Sequence, residues 1–300
     1  MRTGKRADAR SESNTSRRVR CAPGAAVSIL LTLVCLLAFF SVSAAQQELT
    51  PQQQEVKTLS ARLSSADVEE RREAVMRLGA LRRPEGSRAA VVALADGASI
   101  VRATAARAVL SLSPKEAATV ILPLLRDRDE FVRREAAYAL GLTRSTLVVP
   151  ALAAALETDK QPSVRGAAAV ALGQIRDAAA VPALAGALSR RLQAPGFFNR
   201  VRRRKVEEDE FVRRAAAVSL GQIGGREAVP VLVEALTNTR TPDDVKREAA
   251  RALGLIGDPV AIPALRSALT HRDPYLSRIA FEALRKLDPA TAARPAGGGL

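Results

Sequence analysis

The only histidine of the 300-residue chain, His271 in "THRDP", bounds the acid–base and metal chemistry open to it. One imidazole makes neither a His-pair metal site nor a multi-His relay. A Ser-His-Asp relay would have to use this residue, and no "GxSxG" elbow is present to hold a nucleophile. Its place in a predicted turn fits an ordinary surface histidine. The acidic run Glu207, Glu208, Asp209, Glu210 lacks the ordered alternation of a calcium loop. The two cysteines, Cys21 and Cys35, both fall in the N-terminal leader, and Thr32-Leu33-Val34 lacks the small residue expected before a lipidated cysteine. No cofactor or metal is therefore expected. What remains for chemistry is arginine, positioned by the repeated elements of the chain.

The leader is a targeting segment. Arg2, Lys5, Arg6, Arg10, Arg17, Arg18 and Arg20 precede the apolar stretch "VSILLTLVCLLAFF" at 27–40 and the small residues "SVSAAQQ". That apolar stretch has signal-peptide length and is short for a span, which takes about 20 residues. Two readings stand: a signal cleaved after Ala44 or Ala45, or an uncleaved anchor over 21–45 with its basic end in the cytoplasm. Either puts the chain beyond the leader outside the cytoplasm, as a periplasmic, secreted or membrane-tethered protein. A chain starting at Gln46 has no thiol, disulfide or Cys metal ligand. It keeps 39 basic and 29 acidic residues, a net charge of +10.

From there the sequence repeats itself. "FVRREAAYALGL" at 131–142 returns as "SVRGAAAVALGQI" at 163–175, "FVRRAAAVSLGQI" at 211–223 and "DVKREAARALGLI" at 244–256, with looser copies from Glu70, Val101 and Leu276. The shared leucine position falls at Leu78, Val109, Leu140, Leu172, Leu220, Leu253 and Leu284. Between copies lies a second element, as in "VVPALAAAL" (148–156) and "AVPALAGAL" (180–188). Counting from "PQQQEVKTLSARL" at 51–63, where Thr50 and Gln53 suit a capping box around Pro51, gives seven pairs.

Both elements read as helices. Val132, Ala136, Ala139 and Leu140 share one face at 100° per residue, and Ala there admits a close neighbour. With 47% hydrophobic but only 3% aromatic residues, the core is Ala, Leu, Val and Ile. Gly141, Gly173, Gly221 and Gly254 suit a helix end or a tight helix crossing. Pro150, Pro182, Pro230 and Pro263 fit near helix starts, and Asp129, Asp209, Asp244 and Asp273 fit helix caps.

The run "VRxxAAxALGxI" after "PxLxxAL" resembles HEAT-like repeats of the phycobilin-lyase type across about residues 51–287. The resemblance implies an all-α fold, a right-handed α-solenoid of about seven helical hairpins with the Val-Arg helices lining a concave side. It also implies that Arg71, Arg102, Arg133, Arg165 and Arg213 join an Asp/Arg ladder between repeats. Lys246 and Ser277 depart from the pattern, so the ladder is expected to fade toward the C-terminus. HEAT-type hydroxylases bind iron through His-Glu pairs, which this chain lacks. Bilin lyases share the repeats, but the chain has no Trp, few aromatics and a leader.

The exposed side of the Val-Arg helices can be derived from geometry. Counting Val132 as zero, positions 2 and 6 lie opposite the apolar face. They are Arg72/Met76, Ala103/Arg107, Arg134/Tyr138, Gly166/Val170, Arg214/Val218, Arg247/Arg251 and Arg278/Glu282, with an Arg in every repeat but the fourth. Arg beside Met, Tyr and Val suits an acidic, partly apolar protein surface; the same pattern also suits a face kept soluble by charge.

One step of the repeat breaks: Leu188 precedes Val212 by 24 residues instead of about seven. The insert, within 189–210, carries Phe197, Phe198, Arg200, Arg202, Arg203, Arg204 and Lys205 before its acidic run. Basic residues beside Phe could dock a protein or an anionic lipid surface, or form a charged loop whose acidic end caps the next helix. The chain divides into a leader (1–45), a repeat array (46–288) and a disordered tail (289–300). These features point to a non-catalytic scaffold outside the cytoplasm that binds an acidic or mixed partner surface by its concave face and insert loop, with a lyase-type enzyme or enzyme subunit and a protein that binds anionic membrane lipid as alternatives. Nucleic acid is favoured by charge and opposed by compartment and by the scarcity of stacking side chains.

Overall fold

A computed structural model describes residues 49–193 and 205–289. The chain divides into two compact units, Met1–Pro51 and Gln52–Leu300. The leader, the tail from 290 onward and Phe197, Phe198, Arg200 and Arg202–Arg204 of the insert lie outside the described residues.

Fourteen α-helices occur among the described residues, as seven successive pairs. The first helices of the pairs, here called A helices, are α1 (Pro51–Arg62), α3 (Pro84–Ala90), α5 (Pro114–Ile121), α7 (Val149–Thr158), α9 (Val181–Ser189), α11 (Val229–Thr237) and α13 (Ile262–Ala268). The B helices are α2 (Val68–Ala80), α4 (Ser99–Ala108), α6 (Glu130–Thr143), α8 (Pro162–Ile175), α10 (Glu210–Ile223), α12 (Asp243–Ile256) and α14 (Pro274–Leu287). Each B helix packs on the next in order, and from the second pair on the A helices cover one side of that layer. The fold is an all-α solenoid. Helix α1 is held through buried Leu59 and through Arg62, whose guanidinium pairs with Glu70 at 3.0 Å and Glu73 at 2.9 Å.

The core is the row of leucines that the repeat predicts: Leu78, Leu140, Leu172, Leu220, Leu253 and Leu284 are buried, with alanines filling the B–B contacts. The prolines sit at the second residue of α7, α9, α11 and α13, where no intrahelical bond is lost. Asp129, Asp209 and Asp273 cap α6, α10 and α14 as expected, each accepting a backbone N–H of the first turn. Asp244 does not. It lies inside the first turn of α12, whose N-cap is Pro242, and its carboxylate turns to arginines instead.

The glycines after the shared leucine make crossings, not helix ends. A Cβ at Gly141 would lie 2.7 Å from Ala171 Cα, one at Gly221 2.8 Å from Ala252 Cα, and one at Gly254 2.7 Å from Ala283 Cβ. The helices run on past them and stop at other left-handed residues: Arg144, Arg176, Gly224 and Gly257. Each glycine thus brings one B helix against the small residue two positions before the glycine site of the next.

The insert is a β-hairpin at its base. Strands β1 (Arg191–Gln193) and β2 (Lys205–Glu207) pair antiparallel, Arg191 opposite Glu207 and Gln193 opposite Lys205. The Glu208 N–H closes the base on the Arg190 carbonyl at 3.0 Å.

Two glycine substitutions separate packing from helix propensity. Gly221→Ala is expected to destabilise the protein by about 1–2 kcal/mol, because overpacking outweighs the propensity gain. Gly186→Ala, on α9 with open space around its Cα, is expected to stabilise it by about 0.5–1 kcal/mol. Denaturant unfolding of both variants checks the pair; equal effects would remove the crossing role.

Candidate functional site

The ladder runs along the A–B turns. Arg71 on α2 forks onto Asp96 in the second repeat, Nε at 2.7 Å and Nη2 at 2.9 Å. Arg102 does the same to Asp127 at 2.7 and 2.8 Å, and Arg133 to Asp159 at 2.7 and 3.1 Å. The third nitrogen of each donates to its own turn: Arg102 Nη1 reaches the carbonyls of Asp96 (2.8 Å) and Gly97 (3.2 Å). Each acid in turn accepts a backbone N–H two residues on, Ala98 to Asp96 and Asp129 to Asp127.

These acids occupy one structural place, the residue after the A helix (Asp159) or after the 3₁₀ turn that continues it (Asp96, Asp127). In the fifth repeat that place holds Arg190, and the acid comes from beyond the hairpin. Glu208, with no side-chain exposure, accepts from Arg165 Nε at 3.1 Å and from Nη2, and Arg190 Nη1 reaches it at 3.4 Å. The acidic run therefore splits its work: Glu208 completes a rung and Asp209 caps α10.

Arg213 departs from the expected ladder. It has no ladder carboxylate; its Nε donates to the Leu188 carbonyl at 3.0 Å and its Nη2 to Thr241 Oγ1 at 3.2 Å. The buried Lys246 forms no ion pair among the described residues, and Asp273 is taken by Arg247 from the next position, at 2.7 Å. Ser277 Oγ replaces the arginine by donating to nearby turn carbonyls, His271 among them at 3.1 Å. His271 itself belongs to this turn, its Nδ1 accepting the Asp273 N–H at 3.1 Å.

The face read from positions 2 and 6 divides in two. From the fourth to the sixth repeat position 2 is spent between repeats, met by the residue just before the valine position of the next. Phe211 lies on Gly166, so that a Cβ there would run into its ring, which explains the missing arginine of the fourth repeat. Asp244 pairs with Arg214 at 3.5 Å, and the Tyr275 ring lies 5.3 Å from the Arg247 guanidinium. Arg247, with Asp244 and Asp273 as partners, is structural and not a free contact residue. Arg134 lies over the Phe131 ring at 4.9 Å, Arg72 pairs with Glu69 at 2.7 Å, and Ala103 is buried.

Position 6 is the open row. Met76, Arg107, Val218, Arg251 and Glu282 are exposed, while Tyr138 and Val170 are half-buried against the core. Beside it runs a row not singled out from the sequence, four residues further on: Leu142 and Leu255 are more than half exposed, at 52% and 57%. Gln174 and Gln222 in the same row lie over Gly141 and Gly173. Helix periodicity places these residues beside position 6, but the "LGL" and "LGQI" strings drew attention only as packing. In the last repeats Arg214, Arg251 and Arg278 line, with Asp244, Glu248 and Tyr275, a groove of about 410 Å³; each of these arginines has an acid of its own chain, Asp244 at 3.5 Å, Glu248 at 2.5 Å and Glu282 at 3.7 Å. Lys205 enters β2, and its side chain is not described.

HEAT repeats match at residues 56–141, 118–194 and 239–296, more than half of the chain. The chain belongs to the HEAT-repeat family. A PBS lyase HEAT-like repeat also matches at 212–238. No curated protein matches. Among solved structures, YibA of E. coli is 21% identical over 78% of this chain and 81% of its own, with a TM-score of 0.54. The complex of CpcE and CpcF of phycocyanin lyase from Nostoc is 24% identical over 81% and 90%, at a TM-score of 0.45. Human deoxyhypusine hydroxylase is 21% identical over 79% and 96%, at 0.37. At these identities the likeness concerns the HEAT fold alone.

The Arg71 guanidinium holds the Asp96 carboxyl below the usual carboxylate range, and Arg102 does the same for Asp127. At Asp159 burial pushes upward, but the bonds from Arg133 and the Gln161 N–H together outweigh it. A carboxyl whose folded pKa is depressed adds stability above its unfolded pKa, about 3.9, and loses it as pH falls through the folded value. Asp127→Asn leaves Arg102 buried without its counter-ion, at a cost of about 3 kcal/mol near neutrality. That difference from wild type is expected to hold from about pH 7 to 5, shrink below about pH 4 and vanish in stronger acid. Denaturant unfolding at stepped pH checks it; a difference that grows in acid would overturn the assignment.

Proposed function

We propose that the protein is a non-catalytic scaffold that binds another protein across the open face of its B-helix layer. HEAT and armadillo-like repeats commonly bind protein partners, and the observation that carries the reading is an unclosed face holding exposed Met76, Leu142, Val218 and Leu255 in rows flanked by Arg107, Arg214, Arg251 and Arg278. Apolar side chains left exposed on adjacent helices are what a partner would cover. Arg107 and the rim pairs of Arg214, Arg251 and Arg278, whose chain carboxylates can be exchanged for a partner's, suit an acidic partner and set the on-rate. Binding needs no turnover and no bound group. The basic and apolar leader supports a scaffold that works outside the cytoplasm, released after Ala44 or Ala45 or tethered by 21–45.

A crosslinking pull-down from the native envelope, using the chain from Gln46 onward, tests the face. Arg214→Glu, Arg251→Glu and Arg278→Glu together are expected to weaken partner capture at least tenfold, whereas Lys115→Glu on α5 leaves it unchanged. Loss from both, or from neither, would remove the open face as the binding surface. Mass analysis of the envelope-associated chain is expected to show a start at Ala45 or Gln46, or a retained leader in the membrane fraction; a soluble cytoplasmic chain beginning at Met1 would reverse the compartment.

A further inference from the structure

Two buried cations at ladder positions, Arg213 and Lys246, lack a ladder carboxylate among the described residues, and Arg213 is the one that lines a cavity. Arg213 is buried, its side chain 6% exposed, yet its nearest carboxylate is Glu207 at 3.8 Å, which Arg191 already holds at 3.4 Å. The rung below explains what is missing. Asp159 ends α7, donates its N–H to the Ala155 carbonyl at 3.0 Å and accepts the Gln161 N–H at 2.9 Å. Asn238 ends α11 the same way, donating its N–H to the Glu234 carbonyl at 2.9 Å and accepting the Arg240 N–H at 2.9 Å. The two backbone bonds are kept while the negative charge is gone; the turn is two residues longer, 238–242 against 159–161, and Arg240 adds a second cation to it.

A buried guanidinium is costly without a counter-ion. Here the turn opens on a cavity of about 200 Å³ lined by Arg213, Asn238, Arg240, Thr241 and Arg191. Glu207 and Glu234 also line it, which limits the cavity to one anionic group and leaves the arginine side as the place for it. We propose that this cavity binds a carboxylate supplied from outside the ladder, taking the place that Asp96, Asp127, Asp159 and Glu208 fill in the other rungs. Arg213 Nη1, whose nearest carboxylate oxygen is that of Glu207 at 3.8 Å, is the nitrogen left for a carboxylate, since Nε and Nη2 are held by the Leu188 carbonyl and Thr241 Oγ1. Thr241 offers its own hydroxyl hydrogen beside it, and Arg240 supplies the long-range attraction. The site lies at the edge formed by the A–B turns next to the hairpin, apart from the open B-layer face. It stands whether or not that face binds a partner.

The test tracks the thermal midpoint of the chain from Gln46 onward against sodium acetate and against the blocked peptide acetyl-Gly-Glu-Gly-amide, at ionic strength fixed with sodium chloride. The wild type is expected to show a saturable rise with at least one of the two probes. A rise with both assigns the site to any carboxylate, with the peptide alone to a polypeptide side chain, and with acetate alone to a small free anion. Asn238→Asp supplies the acid within the chain; it is expected to melt higher without ligand and to weaken apparent ligand affinity at least tenfold. Gln222→Glu, with the same charge change elsewhere, is expected to respond as wild type does. A wild type indifferent to both probes, or an Asn238→Asp variant that responds like wild type, would overturn the proposal.

Discussion

One guanidinium serving two repeats is the interaction on which the array depends. A single helix pair cannot cover its own apolar face, so stability lies at the junctions between pairs. Leucine and alanine supply the attraction there, but they leave two neighbouring pairs free to slide or rotate. The fork of Arg102 removes that freedom: it is tied to the carbonyls of its own turn and to Asp127 of the next in one planar group. The glycine crossings set the distance at the same junctions, since Ala171 and Ala252 fit only against a residue without a side chain. Spacing and orientation are thus fixed by two different residues.

This division explains why the array tolerates unequal junctions. The second repeat has Leu110 where five of the other six have glycine, and its B helix stops early at Ala108 before a short 3₁₀ turn. The Arg102–Asp127 rung is nonetheless complete. Toward the C-terminus the reverse holds: Gly221 and Gly254 keep their crossings while the rungs change partners.

The helix pairs, their core leucines and the arginines of the ladder were legible because they recur at a fixed step, and periodic signals reinforce one another. The partners were less so. Asp96, Asp127 and Asp159 stand 25 or 26 residues after their arginines, a spacing that could have been read. Glu208 stands 43 residues after Arg165, and nothing in the acidic run marks it as different from Glu207 or Glu210. The open face was half legible. Helical angle put position 6 away from the core in five repeats, but Ala103 at position 2 lies in the core, and Tyr138 and Val170 at position 6 pack against it. Nor could angle show that Phe211, Asp244 and Tyr275 of later repeats cover position 2, because coverage depends on how neighbouring helices cross.

The hairpin between β1 and β2 has a consequence for the entropy of the chain. Lengthening a closed loop from 26 to 43 residues adds only about 0.4 kcal/mol, because closure entropy grows with the logarithm of length. So small a penalty is within reach of the charge-assisted bonds that Glu208, at the far end of that loop, accepts from Arg165 and Arg190. Chain length was therefore no obstacle to placing an extra segment at this turn, and the acid that Arg190 displaces from the helix end is supplied from the far side of the segment, at Glu208.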